Sequence, residues 1–485
     1  MLSQLDWLAD ICFDRGSREP LAEQLAASIA ARIETGLLAR NGRLPTTREL
    51  AVALAINRGT VQAAYRILAE QGMVQTRVGS GTVVLRAGEK SADFDFSRLL
   101  AKRASSLMPD RAAAASAPLI ADFSRLTPDE RFFPLEDFTR TLLYTWSRRR
   151  DLWQYAPPLG LEELRVEIAR RLSAQGIARA PEEILVTSGA QQGLDLLFRT
   201  FTDPGDTVAL ESPTYAGALA LARFSGVEIL PLPVSEEGPD VAPLLGRRAK
   251  LVYLMPERQN PTGVTMGSAR REAVLEAALA AGALVVEDGY QEPESGIAPL
   301  AARRPDRVLW LGTLSKDLVP GFRIGWIAGE AGVIERIARV KQTADFQTPL
   351  PLQAAVAAFL RAGADRKSRK SRGLEVEMRR LTAARALKTR LSGLAFWGGE
   401  IGNPLFWLRL PAALSGRAVA QAAAARGVLV APGADFDPWG EDLPNLRLSV
   451  SRVEKRRVEE GIGLLAEAIE DARSHAGAAH SVPVV

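Results

Sequence analysis

Residues Gly312–Trp326 read GTLSKDLVPGFRIGW and present one lysine, Lys316, in a small polar turn. An apolar run, Arg307–Leu311, leads into this turn, and Arg323 follows a Pro-Gly pair before a second apolar stretch, Ile324–Ala328. A lysine that attacks an aldehyde must lose its proton, which a buried or electropositive setting favours. Hydroxyls and an arginine suit a phosphate dianion. Pyridoxal phosphate needs both features, although a Ser-Lys pair alone is common in proteins.

The size and composition of the chain place it among globular proteins of more than one domain. With 485 residues it exceeds a single average core, and about three domains is the loose expectation for this length. Its apolar fraction of 47% and charged fraction of 24% are ordinary. The net charge of +4 is small for this size, so charge alone does not predict nucleic-acid binding.

The cysteine and histidine content and the hydropathy limit which cellular compartment and which types of chemistry we expect. Cys12 is the only cysteine, which excludes an intrachain disulfide and fits a reducing cytoplasm. We see neither a signal-peptide pattern nor an apolar run of about 18 residues, so we expect no export and no membrane span. His475 and His480 are the only histidines and lie in the C-terminal tail. We therefore expect chemistry based on Lys, Asp, Tyr or Arg, with no metal site.

The first ninety residues have the pattern of three helices followed by a hairpin. Leu21, Leu25, Ile29 and Ile33 recur at every fourth position, which predicts an amphipathic helix. The other predicted elements are a short helix capped by Thr46 or Thr47 and ending at Leu54, a helix at Arg58–Gln71, and strands at Val74–Val78 and Thr82–Leu85. A helix-turn-helix alone could equally be a small helical domain with solvated arginines.

The complete order of these elements resembles the winged helix-turn-helix of GntR-family bacterial regulators. The resemblance rests on EPLAEQLAASIAARIETG, RLPTTRELAVALAINRGTVQAAYRILAEQG and the wing VQTRVGSGTVV. It implies a DNA-binding domain at residues 17–86 and a double-stranded operator as partner. The residues that would approach DNA are Arg48, Asn57, Arg58, Gly59, Thr60, Gln62 and Gly79. Arg58 best suits a guanine edge, whereas Thr60 and the wing backbone suit phosphate.

Residues 87–119 separate this region from the rest of the chain. They are rich in alanine with scattered charges and show no sustained apolar face. This composition predicts a linker that is partly helical and partly flexible. The alternative is an extra helix packed on a neighbouring domain.

Residues 120–475 alternate between helical patterns and short apolar strands, which predicts an α/β domain with a mainly parallel sheet. In such sheets, ligands gather at the loops that follow the carboxyl ends of strands. Polar motifs occupy these loops: SGAQQG at 188–193, ESPTY at 211–215, QNPTG at 259–263 and VEDGY at 286–290. Each motif alone has an ordinary explanation as a helix cap or a turn.

The order of these motifs, leading into Lys316 and Arg323, resembles the fold-type I aminotransferases. The resemblance implies a pyridoxal phosphate whose phosphate is held by Gly189, Ala190, Gln191, Thr313 or Ser315, and Arg323. Tyr215 would stack on the ring, and Asp288 would pair with its protonated nitrogen so that the ring acts as an electron sink. Asn260 and Tyr290 would hydrogen-bond its phenolic oxygen. Lys316 would form the internal Schiff base.

The same resemblance implies a small C-terminal α+β subdomain that binds the substrate. Within NLRLS at 445–449, Arg447 would bind a carboxylate in bidentate fashion. Two departures stand out. Asp288 is followed by Gly289 where an acidic residue is commoner, and the stretch GGEIGNPLFWLRLP at 398–411 is longer than usual. The second departure leaves the amino-acid specificity open.

The two halves together resemble the MocR subfamily of regulators. This resemblance implies a cytoplasmic, homodimeric transcription regulator that senses an amino acid, an amine or pyridoxal phosphate at Lys316. The alternative is a working aminotransferase tethered to DNA, in which Lys316, Asp288 and Tyr215 would be catalytic. A third interpretation is a degenerate cofactor pocket that serves only dimerisation.

Overall fold

The chain forms two compact units, Met1–Ala101 and Lys102–Val485, in a computed structural model. This structure describes residues 6–8, 11, 13–14, 16–17, 19–39, 41–77, 81–85, 99–105, 107, 117–291 and 295–479. None of the helices in these ranges is long and apolar enough to cross a membrane.

The first unit contains the three predicted helices and the predicted hairpin. Its elements are α1 (Leu21–Glu34), β1 (Arg43–Leu44), α2 (Thr47–Ala53), α3 (Arg58–Glu70), β2 (Val74–Arg77) and β3 (Gly81–Val84). The Thr46 hydroxyl accepts a hydrogen bond from the Glu49 N–H, and the Glu49 carboxylate accepts one from the Thr46 N–H. This reciprocal capping box starts α2. The sequence reasoning missed β1, which pairs antiparallel with β3 to give a three-stranded sheet in the order β1-β3-β2.

The core of the first unit is built from the helical stripes. Leu25, Ile29 and Ile33 of α1 are at most 1% exposed. On α3, the buried residues Val61, Ala64, Tyr65 and Leu68 follow the spacing of one helix face. Residues on the opposite face of α3, such as Arg58, Gln62 and Arg66, are exposed.

The second unit begins with a short helix and is built on one large sheet. The elements as far as this sheet extends are α4 (Lys102–Ser105), β4 (Ala121–Asp122), α5 (Leu135–Arg148), α6 (Glu162–Ala174), β5 (Ile184–Thr187), α7 (Ala190–Phe201), β6 (Thr207–Ser212), α8 (Ala216–Ser225), β7 (Glu228–Ser235), β8 (Gly238–Pro239), β9 (Leu251–Leu254), α9 (Ser268–Ala280), β10 (Leu284–Gly289), α10 (Leu300–Arg303), β11 (Val308–Thr313) and β12 (Gly325–Ala328). The eight-stranded sheet has the order β5-β12-β11-β10-β9-β6-β7-β8.

The direction of the strands sets where the polar loops meet. Strands β11, β10, β9, β6 and β7 are mutually parallel, and β12 is antiparallel to both β11 and β5. Consequently β5 runs in the same direction as β11. The carboxyl ends of β5, β6, β9, β10 and β11 all lie at one edge, where ligands of α/β sheets gather.

A smaller α+β subdomain follows the sheet. Its elements, with the helices that lead into it, are α11 (Ala331–Ala344), α12 (Leu350–Arg361), α13 (Asp365–Arg390), β13 (Phe396–Gly398), β14 (Leu405–Arg409), α14 (Gly416–Ala425), β15 (Val428–Leu429), β16 (Ala431–Pro432), β17 (Asn445–Ser449) and α15 (Lys455–Ala479). Four of its strands pair in the order β13-β14-β17-β16, and β15 pairs with β4. Phe406, Leu448 and Ile462 lie in its buried core.

The predicted linker, residues 87–119, falls mainly outside the described residues. Its described part includes α4, where the Arg103 guanidinium lies 5.3 Å from the centre of the Phe224 ring. This turn is therefore helical and packs on α8.

Candidate functional site

The predicted cofactor residues meet at the edge where the carboxyl ends of the strands converge. They lie at the carboxyl ends of β10 and β11, in the loops after β5, β6, β9, β10 and β11, in the first turn of α7 and shortly before β12: Gly189, Ala190, Gln191, Tyr215, Asn260, Asp288, Tyr290, Thr313, Ser315, Lys316 and Arg323. Motifs up to 134 positions apart in sequence are brought together because the strands before them share one direction.

Lys316 lies in a setting that favours its neutral amine. Burial and the nearby guanidinium groups of Arg447 and Arg323 lower its pKa to about 8, and the Asp288 carboxylate opposes this shift. The Lys316 Nζ donates a hydrogen bond to the Leu126 carbonyl. At neutral pH the amine therefore loses its proton far more readily than an ordinary lysine, whose pKa is roughly 10.4.

Asp288 is buried and keeps one carboxylate oxygen available. Its Oδ2 accepts a hydrogen bond of 2.6 Å from the Tyr253 hydroxyl. Its Oδ1 is buried and has no hydrogen-bond partner in the described part of the chain. Burial raises the pKa of Asp288 to about 6, while Tyr253 and Lys316 act in the opposite direction. A buried acceptor without a partner is unusual, and this one suits the protonated ring nitrogen of pyridoxal phosphate.

The turn between β5 and α7 has the form of an anion cradle. Gly189 adopts φ = +89°, which a side chain disfavours. A Cβ at this position would also lie 2.7 Å from the Arg323 Nη2. Arg323 donates to the Ser188 carbonyl at 3.1 Å, which holds the guanidinium against the turn. The first N–H groups of α7, from Ala190 onward, have no partner within the helix and can face a phosphate.

Some groups around this turn can bind the ligand, and others hold the turn in place. Gln191 donates to the Gly217 carbonyl at 3.1 Å, so its backbone N–H is the part that can face a phosphate. The Thr313 hydroxyl donates to the Ile324 carbonyl at 3.3 Å and accepts from the Ser315 N–H at 3.1 Å. Thr313 therefore orders the turn, and Ser315 is the hydroxyl better placed to bind a ligand.

Three residues that were not predicted from the sequence hold the same turn in place through hydrogen bonds. The fully buried Lys341 bonds to the Asp345 carboxylate. Asp345 accepts from the Gln192 amide at 2.6 Å, and the Gln192 oxygen accepts from the Ser188 N–H at 2.7 Å. The buried lysine thus fixes the turn through a chain of hydrogen bonds. Its only signal in the sequence is a Lys-Asp pair four residues apart beside apolar positions.

Asp345→Asn is expected to raise the dissociation constant for pyridoxal phosphate by roughly 10- to 100-fold, because weakening one charged hydrogen bond that holds the turn costs about 1.5–3 kcal/mol. Titration followed by visible absorbance measures this constant. Glu335→Gln is the matched control, since Glu335 also forms an i,i+4 pair on α11, with Arg339 at 2.6 Å, but at the surface. Equal affinities in the two variants would contradict the supporting role of Asp345.

The residues predicted for the phenolic oxygen and the substrate carboxylate lie together. Arg447 is 6% exposed, and its Nη1 donates to the Asn260 Oδ1 at 3.1 Å. Its Nη2 donates to the Ser124 carbonyl, and burial lowers its pKa to about 10. The Tyr290 hydroxyl donates to the Arg258 carbonyl. Arg447 is thus a charged, partly anchored guanidinium at the edge of the site.

The two departures from the aminotransferase pattern have structural explanations. A Cβ at Gly289 would lie 1.9 Å from the Trp310 ring, so glycine is required beside this tryptophan. In the long stretch after β13, the buried Asn403 donates to the Gly263 carbonyl at 2.7 Å. Ile401 and Pro404 on either side line a cavity next to Lys316. The longer stretch therefore shapes one wall of this cavity.

The predicted DNA-binding residues lie on the free side of the first unit, around the start of α3. Five of them are exposed and one is half-buried: Arg48, Asn57, Arg58, Gly59, Gln62 and, half-buried, Thr60. Asn57 caps α3 by accepting from the Gly59 N–H at 2.8 Å, and the Arg58 Nε donates to the Thr47 hydroxyl at 3.2 Å. Gly79 lies outside the described residues.

Comparison with known proteins assigns both parts of the chain. The family "Bacterial regulatory proteins, gntR family" matches residues 21–84, and "Aminotransferase class I and II" matches residues 127–465. The HTH-type transcriptional regulator TauR of Rhodobacter capsulatus is 30% identical, over 94% of this chain and 97% of that protein. The probable rhizopine catabolism regulatory protein MocR of Rhizobium meliloti is 31% identical, over 73% and 74%.

A solved structure agrees with the assignment of the larger part. LysN, the α-aminoadipate aminotransferase of Thermus thermophilus, was solved with N-(5'-phosphopyridoxyl)-L-leucine. It has a TM-score of 0.71 and 27% identity to this chain, covering 78% of this chain and 99% of its own. The chain therefore belongs to the MocR subfamily of GntR-family transcription regulators, in which a helix-turn-helix domain is joined to a pyridoxal phosphate-dependent aminotransferase-type domain.

Proposed function

We propose that this regulator binds its operator through residues 17–86 and senses an amino acid or amine at Lys316, in a domain spanning residues 120–475 with residues 87–119 as linker. The observation that carries the proposal is a lysine of lowered pKa beside the unpartnered Oδ1 of Asp288, in a chain that also has an exposed recognition helix. Pyridoxal phosphate, when bound, supplies an aldehyde that captures primary amines and a ring that withdraws electrons.

Each residue of the site contributes a distinct binding or orienting role. Lys316 would provide the amine that holds the cofactor. Asp288 would favour a protonated ring nitrogen, because its buried Oδ1 has no other hydrogen-bond partner among the described residues. Tyr215 covers the ring face. The phosphate is held by the backbone of Gly189, Ala190 and Gln191, by Ser315 and by Arg323.

The effector's carboxylate is bound by Arg447. Its guanidinium already donates to Asn260 and Ser124, so it is oriented before the ligand arrives. Burial keeps water from competing for the charge, which strengthens a bidentate pair with a carboxylate. An amine at Lys316 and a carboxylate at Arg447 together define an amino acid.

Helix α13 can transmit a change at Lys316 to the C-terminal subdomain. Arg372 of α13 donates to the carbonyl of Asp317, the residue that follows Lys316. On the same helix, Arg379 donates to the Asp129 carboxylate at 2.7 Å and to the Ser451 carbonyl at 2.8 Å. An effector that binds two arrangements of this helix with different affinities would shift the regulator between two states.

The regulator acts as a cytoplasmic homodimer through an apolar surface of the second unit. Large apolar side chains are exposed there, at Leu135, Leu143, Tyr144, Trp153, Tyr155 and Phe346. Tyr155 is 86% exposed and its ring lies 6.2 Å from that of Phe346. The surface borders the cofactor turn, since Gln347 accepts from the Ala156 N–H at 2.6 Å and the hydroxyl of the next residue, Thr348, is hydrogen-bonded to the Ser188 hydroxyl at 3.3 Å. Contiguous exposed apolar residues mark protein interfaces, and a two-fold dimer presents two heads to paired half-sites.

Selection of bound fragments from genomic DNA with the full-length, cofactor-loaded protein tests this function. We expect one enriched family of sites with paired half-sites, whose affinity changes when an amino acid that alters the cofactor spectrum is added. Sustained transamination near the roughly 10 s⁻¹ typical of enzymes, without any enriched DNA site, would instead favour an aminotransferase.

A further inference from the structure

A cavity of about 560 Å³ opens beside Lys316. One wall is formed by α13, and most of its lining residues recur at helical spacing: Arg366, Arg369, Lys370, Gly373, Val376 and Glu377, with Arg372 beside them. The lining also includes Leu126, Ile401 and Pro404. A ligand held at Lys316 therefore has an open space in front of a helix face whose first turns are cationic.

The described carboxylates that line this cavity form ion pairs with arginines outside the lining. Asp317 pairs at 2.9 Å with Arg171, and Glu377 pairs at 2.6 Å with Arg380, and neither arginine lines the cavity. By contrast, the side chains of Arg366 and Lys370 make no hydrogen bond or ion pair with any described residue. These two cations remain available to a ligand.

Arg447 lies outside this lining, so its cationic charge is separate from that of the α13 face. An amino acid held by its amine at Lys316 and its carboxylate at Arg447 would leave only its side chain to enter the cavity. We propose that the effector is an amino acid whose side chain ends in an anion, attracted by Arg366 and Lys370. The proposal rests on amino-acid sensing at Lys316 as described above.

Both cations are exposed, which sets the size and the salt dependence of their effect. Exposed ion pairs are individually weak, but two cations acting on one anion in a partly enclosed space support a preference of about tenfold. Salt screens charges over about 8 Å at 0.15 M ionic strength, so the preference should fall as salt is added.

The test follows the cofactor spectrum of the full-length, loaded protein as amino acids are added. L-Glutamate and L-glutamine are matched in shape and differ in charge, and L-homocysteate replaces the carboxylate with a sulfonate. We expect glutamate or homocysteate to bind about tenfold more tightly than glutamine, and the tighter of the two identifies the anion. In the double variant Arg366→Gln/Lys370→Gln, the ratio of dissociation constants should fall towards one. Lys388→Gln, an exposed lysine on α13 outside the cavity, should preserve it.

Equal affinities for glutamate, homocysteate and glutamine would overturn this proposal and leave amino-acid sensing intact. A preference that survives in the double variant would overturn the assignment to α13. If none of a panel of acidic, neutral and basic amino acids alters the spectrum, both this proposal and amino-acid sensing at Lys316 fail.

Discussion

Lys316→Ala is expected to abolish the visible absorbance band of the bound cofactor while the protein remains folded. The Lys316 amine is the group expected to hold the cofactor covalently. The other residues of the site, which contact its phosphate, bind it only reversibly. Removing a desolvated ammonium also relieves a burial cost, so the free energy of unfolding should change by less than about 2 kcal/mol. Absorbance after dialysis measures the first effect, and circular dichroism during denaturant unfolding measures the second.

Lys250→Ala serves as the control for this experiment. Lys250 immediately precedes β9 and is more than half exposed, with its Nζ 3.8 Å from the Asp206 carboxylate. This variant should keep the visible band at full intensity. A band that persists in Lys316→Ala would show that another amine carries the cofactor, and the assignment of Lys316 would be wrong.

Arg58→Ala is expected to abolish specific operator binding while the cofactor spectrum stays unchanged. The side chain projects from the first turn of α3, and its described contact is with the Thr47 hydroxyl, so its loss should not unfold the domain. A bidentate arginine–guanine contact is worth about 1–3 kcal/mol, and a dimer on paired half-sites loses it twice. We therefore expect a loss of roughly 10²–10⁴-fold in affinity for the selected operator.

Fluorescence anisotropy with the selected operator and with a scrambled duplex measures both specific and non-specific binding. Arg339→Ala, which removes the same charge from an exposed position on α11, should leave operator affinity within about twofold of the unaltered protein. An operator affinity that is equally insensitive to Arg58→Ala would exclude Arg58 from base recognition.

The helices of the first unit could be predicted because their signals are local. The stripe of Leu25, Ile29 and Ile33 specifies which face of α1 is buried, whatever element packs against that face. Thr46 begins α2 through a bond to a residue only three positions away. By contrast, β1 is two residues long and exists only because β3 pairs with it. A strand of this length is too short to show the alternation of apolar and polar residues by which strands are recognised in a sequence.

In the cofactor site, too, some features could be predicted from the sequence and others could not. The order of the motifs predicted which residues would meet, because parallel strands bring their following loops to one edge. It did not predict how their side chains are bonded: Asn260 accepts from Arg447, and Thr313 bonds within its own turn. These contacts join distant segments, and nothing in either segment specifies the other.

The sequence by itself determined the family and the cofactor and predicted which lysine would hold that cofactor, because these depend on residue types at fixed spacings in loops after strands. Only the tertiary structure decided that Lys341 is buried behind the cofactor turn, that Asp288 keeps Oδ1 unpartnered, and that Arg366 and Lys370 face a cavity beside Lys316. Burial and charge balance are properties of what surrounds a side chain. They are therefore set by segments far away in sequence, which a local pattern does not contain.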